Sequence, residues 1–289
     1  VDAAGNPDRI VTIAGTGVCG QSGDGGQATA AQLGNDLYIR TDAGGVLYVS
    51  DGDRVRRISP GQPGDGSIDG NADELITTYA GGGTEMPGPT PVPATSLALG
   101  KALGSAPSAG GDLYVAFRDG ILRVDASGQA SRVRQTGQGA YGPVGDSVAL
   151  LSNGELAWGT SGCRWSSPYP DRQCFGRVNR LTKGSDGFVN GSADETESPI
   201  AGYRDWAELP LTMPPAPPRN SNGDGHGLSA RLQTPASLVP LPNGSFVVVD
   251  AENGLLRLVG SLTGGTTNTA PYADAGLSYA VNVNDTAIL

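Results

Sequence analysis

Histidine, lysine and long apolar runs are what this 289-residue chain has least of. A single histidine, His226, leaves no multi-histidine zinc centre and no second imidazole for a proton relay. Lysine occurs only at Lys101 and Lys183, and 19 basic residues against 29 acidic ones give a net charge of -10. That balance argues against nucleic acid and anionic membrane surfaces, which bind clustered cations. No stretch approaches the roughly 18 apolar residues that span a bilayer, so membrane insertion is not expected. A G-x-S-x-G elbow, a P-loop and a C-x-x-C-H haem site are all missing, and Gly81-Gly82-Gly83 opens no helix that would hold a phosphate.

Glycine (46) and proline (21) are abundant instead, with no Gly-X-Y period. Such a chain suits short strands separated by tight turns. No segment keeps a 3.6-residue apolar period for three turns, so helix should be scarce. The first residue is Val1, with no initiator methionine or leader pattern, which reads as a mature or excised chain.

Of three cysteines, Cys163 and Cys174 bound a loop of a length that a disulfide closes easily, and that bridge is expected. It implies a secreted or cell-surface location. Cys19 is left over and reads as a small buried residue.

Two patterns recur. Asp65-Gly66-Ser67-Ile68-Asp69-Gly70-Asn71-Ala72-Asp73-Glu74 returns as Asp186-Gly187-Phe188-Val189-Asn190-Gly191-Ser192-Ala193-Asp194-Glu195, each copy leading to an Ala-Gly pair, Ala80-Gly81 or Ala201-Gly202. A glycine turn, an apolar strand, a polar turn and an arginine-bearing strand recur from Gly45, Gly111 and Gly244, and more weakly from Gly154.

Arg9 to Gly17, Ser22 to Leu33, the Leu47-Tyr48-Val49-Ser50-Asp51 strand and Arg54-Val55-Arg56-Arg57-Ile58 together resemble the NHL-repeat β-propellers. Asn222 to Gly225, Ala230 to Pro235 and Leu238 to Val259 look like a further copy. The resemblance implies an all-β fold of four-stranded blades. Four blades are expected, and the divergent stretch Gly159 to Ser221 leaves room for a fifth or sixth. Inner strands are expected near Leu33 to Arg40, Leu97 to Leu103, Ser147 to Leu151 and Ser237 to Leu241. Outer strands are expected near Leu75 to Ala80, Ala130 to Arg134 and Pro199 to Tyr203. Ile10 to Ala14 has the outer-strand pattern and is expected to complete the last blade and close the ring.

Residues 1–262 are assigned to the propeller. Residues 263–289 form a linker and a strand segment resembling the opening of a PKD-type immunoglobulin-like domain, too short to bury its own core. Two proline-rich runs, Glu85 to Pro93 and Leu209 to Pro218, read as extended connections.

Oxygen-rich loops are the one place a metal would fit. Asn220 to Gly225 resembles a calcium loop, but its twelfth position is Arg231 where a glutamate is needed. Asp65, Asp69, Asp73 and Glu74, with Asp186, Asp194 and Glu195, are better spaced oxygen donors and remain weak calcium candidates, since turn capping is the favoured reading. Asp51 and Asp250 read as turn residues and Trp158 as core. No cofactor is expected.

Trp165, Tyr169, Tyr203 and Trp206 are the candidate binding residues, because aromatics on constrained loops bind at low entropic cost. A secreted, non-catalytic module follows, attaching to protein or glycan at a cell surface or assembling with its own copies. The alternative is a metal-assisted hydrolase or lyase using carboxylates at the channel.

Overall fold

Runs of β-branched and aromatic residues between glycine turns become strands because their side chains pack on a pleated surface. The computed structural model describes residues 10–60, 66–135, 143–165, 172–202 and 232–260. β1 (Leu37–Thr41), β2 (Leu47–Asp51), β3 (Arg54–Ser59) and β4 (Leu75–Gly81) form the first antiparallel blade. β5 (Val92–Pro93) precedes the second, made of β6 (Ala102–Pro107), β7 (Leu113–Phe117), β8 (Gly120–Val124) and β9 (Gln129–Gln135). The third contains β10 (Pro143–Leu150), β11 (Leu156–Trp165), β12 (Arg172–Leu181) and β13 (Glu197–Gly202). The fourth contains β14 (Pro235–Pro240), β15 (Phe246–Asp250) and β16 (Leu255–Val259).

The four sheets form a ring, a four-bladed β-propeller. Inner strand β1 packs beside β6, β6 beside β10 and β10 beside β14, and a parallel pairing of Asp146 with Ser237 ties the last two blades together. Helix is confined, among the described residues, to single 3-10 turns such as Ala28–Ala30 and Ala94–Ser96.

Strand alternation sends successive side chains to opposite faces, and in β7 both faces are buried. Leu113, Val115 and Phe117 of β7 join Tyr48 and Val55 in a core between blades 1 and 2. Tyr114 and Ala116 of the same strand join Trp158 and Leu156 between blades 2 and 3. Ala157 and Val178 meet Leu238, Phe246 and Val248 between blades 3 and 4. The Tyr114 hydroxyl donates to the Val189 carbonyl at 2.7 Å, and burial pushes its pKa up to about 12.

Three expectations are corrected. The stretch Leu97 to Leu103 enters its strand only at Ala102, because a 3-10 turn spends the preceding residues and drops Leu97 and Leu99 into the core. Cys19 is exposed, with its thiol donating to Asn35 Oδ1 at 2.7 Å. Ile10 to Ala14 forms no ladder with β16; it runs against blade 1 instead, the Thr12 carbonyl beside Gly70. The run Glu85 to Pro93 does more than connect: Arg132 donates to the Pro87 and Gly88 carbonyls at 2.7 and 2.6 Å, and β5 pairs with β9. Proline lacks a donor, so this cover blunts the blade edge.

Candidate functional site

Most of the oxygen-rich positions proposed as calcium ligands have structural work. Glu74 is fully buried and its Oε1 accepts the backbone N–H groups of Asp69 and Gly70 at 2.7 and 2.9 Å. Glu195 does the same for Asn190 and Gly191. The recurring decapeptide is therefore one turn used twice, tied at its end by a glutamate. Asp69 Oδ1 accepts from Asn71 N–H, Asp186 from Phe188 N–H and the Asn190 amide, and Asp194 from Ser185 N–H and the Ser192 hydroxyl. Those last two contacts hold Asp194 well below the usual carboxylate range. Asp73 lies on the first of these loops, and Asp65 lies outside the described residues, as does His226. Among the described residues no three acidic, histidine or cysteine side chains gather as a metal site.

Burial alone would push the Glu74 carboxyl up, but the N–H donors outweigh it and its pKa falls below the ordinary 4.5. A depressed folded pKa adds stability above the unfolded value, and that stability is lost as pH falls through the folded one. Glu74→Gln should therefore be less stable than the parent at neutral pH, and the gap should close well below pH 4.5. Urea unfolding of both proteins at the two pH values checks this.

A second set of polar residues escaped sequence reading in its partners though not in its pattern. Arg56 is almost completely buried, donates to Asp24 Oδ1 at 2.6 and 3.0 Å and to the Gln32 and Ser22 carbonyls, and lies 3.6 Å from Asp51 Oδ2. Asp51 Oδ1 accepts the Gly34 N–H at 2.8 Å, so the aspartate pins the entry of β1. Blade 4 repeats the device: Arg257 lies 3.6 Å from Asp250 Oδ2, and Asp250 Oδ1 accepts from Gln233 and Thr234. Register shows the equivalence, since Arg56 faces Val49 and Arg257 faces Val248, each two residues before the aspartate. The same two places hold Phe117 and Leu122 in blade 2, and Thr160 and Asn179, joined at 3.3 Å, in blade 3. Asp51 and Asp250 are thus buried ion-pair members as well as strand-end residues.

The longest strands among the described residues are the two of the β11–β12 hairpin in blade 3. Among the described residues β11 pairs with β10 as far as Thr160 and β12 with β13 as far as Arg177, and Gly176 bridges Leu232. Beyond them the hairpin continues through five more pairs, Ser161 opposite Gly176 to Trp165 opposite Arg172. At a strand rise of about 3.4 Å, that is roughly 17 Å of further ladder. Cys163 and Cys174 are directly opposed in this ladder, and Trp165 is its last described residue. Tyr169 lies outside the described residues, as do Tyr203, Trp206, the run Leu209 to Pro218 and the tail from 261 onward. The structure thus places Trp165 and the two cysteines on one element.

No family model and no curated protein matches the chain. Among solved structures, a catalytically inactive virginiamycin B lyase from Staphylococcus aureus, determined with quinupristin, is similar at 13% identity and a TM-score of 0.37. The likeness covers 81% of this chain and 59% of the lyase chain. A protein of unknown function from Bacteroides thetaiotaomicron is similar at 14% identity and a TM-score of 0.26, covering 86% and 74%. Neither likeness bears on activity or ligand at these values.

Proposed function

We propose that the chain is an NHL-like propeller acting as an extracellular, non-catalytic binding or assembly module, with the β11–β12 hairpin as its contact element. The observation that carries this reading is the pairing of β11 with β12 that sets Cys163 directly opposite Cys174, with Trp165 two residues further along β11. Directly opposed residues of an antiparallel pair lie about 4.5–5.5 Å apart at Cα, within the range a disulfide bridges. A Cys163–Cys174 bond closing so short a loop would contribute about 3 kcal/mol and stiffen the hairpin. A stiff aromatic tip loses little entropy on contact with protein, glycan or another copy. The PKD-like segment at 263–289 would serve the same assembly role.

The test is binding of the purified chain to a glycan array, to surface extracts and to itself by sedimentation, with and without Trp165→Ala and Tyr169→Ala together. Loss of a hot-spot aromatic is worth about 2 kcal/mol, so affinity should fall ~30-fold. Unchanged binding by the double variant would exclude the hairpin. Peptide mapping without reductant should recover Cys163 and Cys174 joined; free thiols would remove the support for an extracellular site.

A further inference from the structure

We propose that Thr90, on the outer rim of blade 2, is an attachment site for a sugar joined through its hydroxyl. The proposal rests on the extracellular reading above, because sugars linked to threonine in proline-rich segments belong to secreted and surface chains. It concerns a different part of the molecule from the hairpin.

The rim of blade 2 carries more chain than covering an edge requires. In blade 1 the edge of β4 is covered in step: the Ile76 N–H donates to the Gly26 carbonyl at 3.1 Å and the Ala28 N–H to the Glu74 carbonyl at 2.9 Å, two residues of cover for two of strand. In blade 2 the Arg132 N–H donates to the Gly88 carbonyl at 2.6 Å, and Val92 lies opposite Ala130. Four residues of cover here span two of β9. Pro89, Thr90 and Pro91 therefore stand out from the ladder, and all three are exposed. The blade 1 cover contains no proline, so shielding the edge does not account for the extra Pro-Thr-Pro.

The insertion presents one reactive group. Proline fixes its own φ at about −65° and keeps the residue before it extended, so Thr90, between Pro89 and Pro91, is offered in extended form. Its hydroxyl has no hydrogen-bond partner among the described residues, whereas those of exposed Thr16 and Thr41 are held by Val18 and Asp42. Thr84 and Thr95 of the same cover are also exposed, but Thr84 adjoins the bridge from Glu85 to Leu97 and Thr95 sits inside the Ala94–Ser96 turn. An enzyme that takes an extended segment into its cleft finds one only at Thr90.

Both ends of the insertion are anchored, by Arg132 donating to the Pro87 carbonyl at 2.7 Å and by the Ala94 N–H donating to the Gly128 carbonyl at 2.9 Å. The electrostatics suit an anionic donor. Although the chain carries a net charge of -10, no residue from Met86 to Ala94 is charged, and the neighbouring Glu85 carboxylate accepts the Ser96 hydroxyl at 2.9 Å. A sugar diphosphate thus approaches Thr90 along an uncharged stretch of an acidic surface.

In the transfer, Thr90 Oγ1 attacks the anomeric carbon of a sugar carried on a nucleotide or lipid diphosphate. The new C–O bond forms as the bond from that carbon to the phosphate oxygen breaks, the diphosphate leaves with the electron pair, and the hydroxyl proton passes to a base of the transferase.

The experiment is mass spectrometry of the chain isolated from the cells that make it. The intact mass should exceed that of the sequence by whole sugar residues, and electron-transfer fragmentation should place them on Thr90. Thr90→Ala made in the same cells should lose the sugar completely, Thr90→Ser should restore it, and Thr84→Ala with Thr95→Ala should keep it. Bare Thr90 in a chain with Cys163 and Cys174 joined would overturn the site while leaving the extracellular reading standing; bare Thr90 with both thiols free would remove both. A sugar only at Thr84 or Thr95, or a phosphate at Thr90, would count equally against the assignment.

Discussion

Arg56→Leu should destabilise the chain by about 3–5 kcal/mol, the usual cost of stranding one member of a buried ion pair. The change leaves Asp51 fully buried without its cation and removes the donors held by Asp24, Gln32 and Ser22. Since Gln32 and Ser22 belong to the segment leading into β1, the loss should loosen that segment as well as blade 1. Adding Asp51→Asn keeps an acceptor for the Gly34 N–H and removes the uncompensated charge. The double variant should therefore be more stable than Arg56→Leu alone, with a coupling of about 1–3 kcal/mol in a double-mutant cycle measured by urea unfolding. Blade 2 shows why this is reasonable: Leu122 and Phe117 fill the same two places with no charge at all. Additive single effects would mean that Asp51 and Arg56 act independently despite their separation of 3.6 Å.

Trp158→Ala should cost about 3–5 kcal/mol, the range for deleting a buried aromatic from a packed core. Trp158 is the largest fully buried side chain among the described residues and fills the space between blades 2 and 3 beside Ala106, Tyr114 and Ile121. Its loss opens a cavity shared by two blades, so both should loosen together. Hydrogen exchange should report faster exchange in β7 as well as β11. A change confined to β11 would show that the two blades do not share one core.

How much of this was legible in sequence divides by range. The meander, the scarcity of helix and the burial of Trp158 followed from period-2 apolar runs and glycine turns, which act between neighbouring residues. The twin decapeptides were visible as repeats, and their glutamates resembled metal ligands because a carboxylate capping two N–H groups and one binding calcium use the same residue types. The Arg56 network was not legible. Its arginine stood out in an alternating strand, but Asp24 and Asp51 are brought to it by folding, and Asp24 is 32 residues away. The late start of β6 was missed although Ala94-Thr95 repeats the Ala28-Thr29 of the earlier 3-10 turn.

The three inter-blade cores each join blades consecutive in the chain. During synthesis, each blade can therefore dock on its predecessor as soon as its own strands emerge. Loop-closure entropy is then spent in small instalments rather than at one late step. Nascent chains should thus acquire protease resistance stepwise from the amino-terminal side, with the first increment when β9 leaves the ribosome and Phe117 and Leu122 can seal the first core.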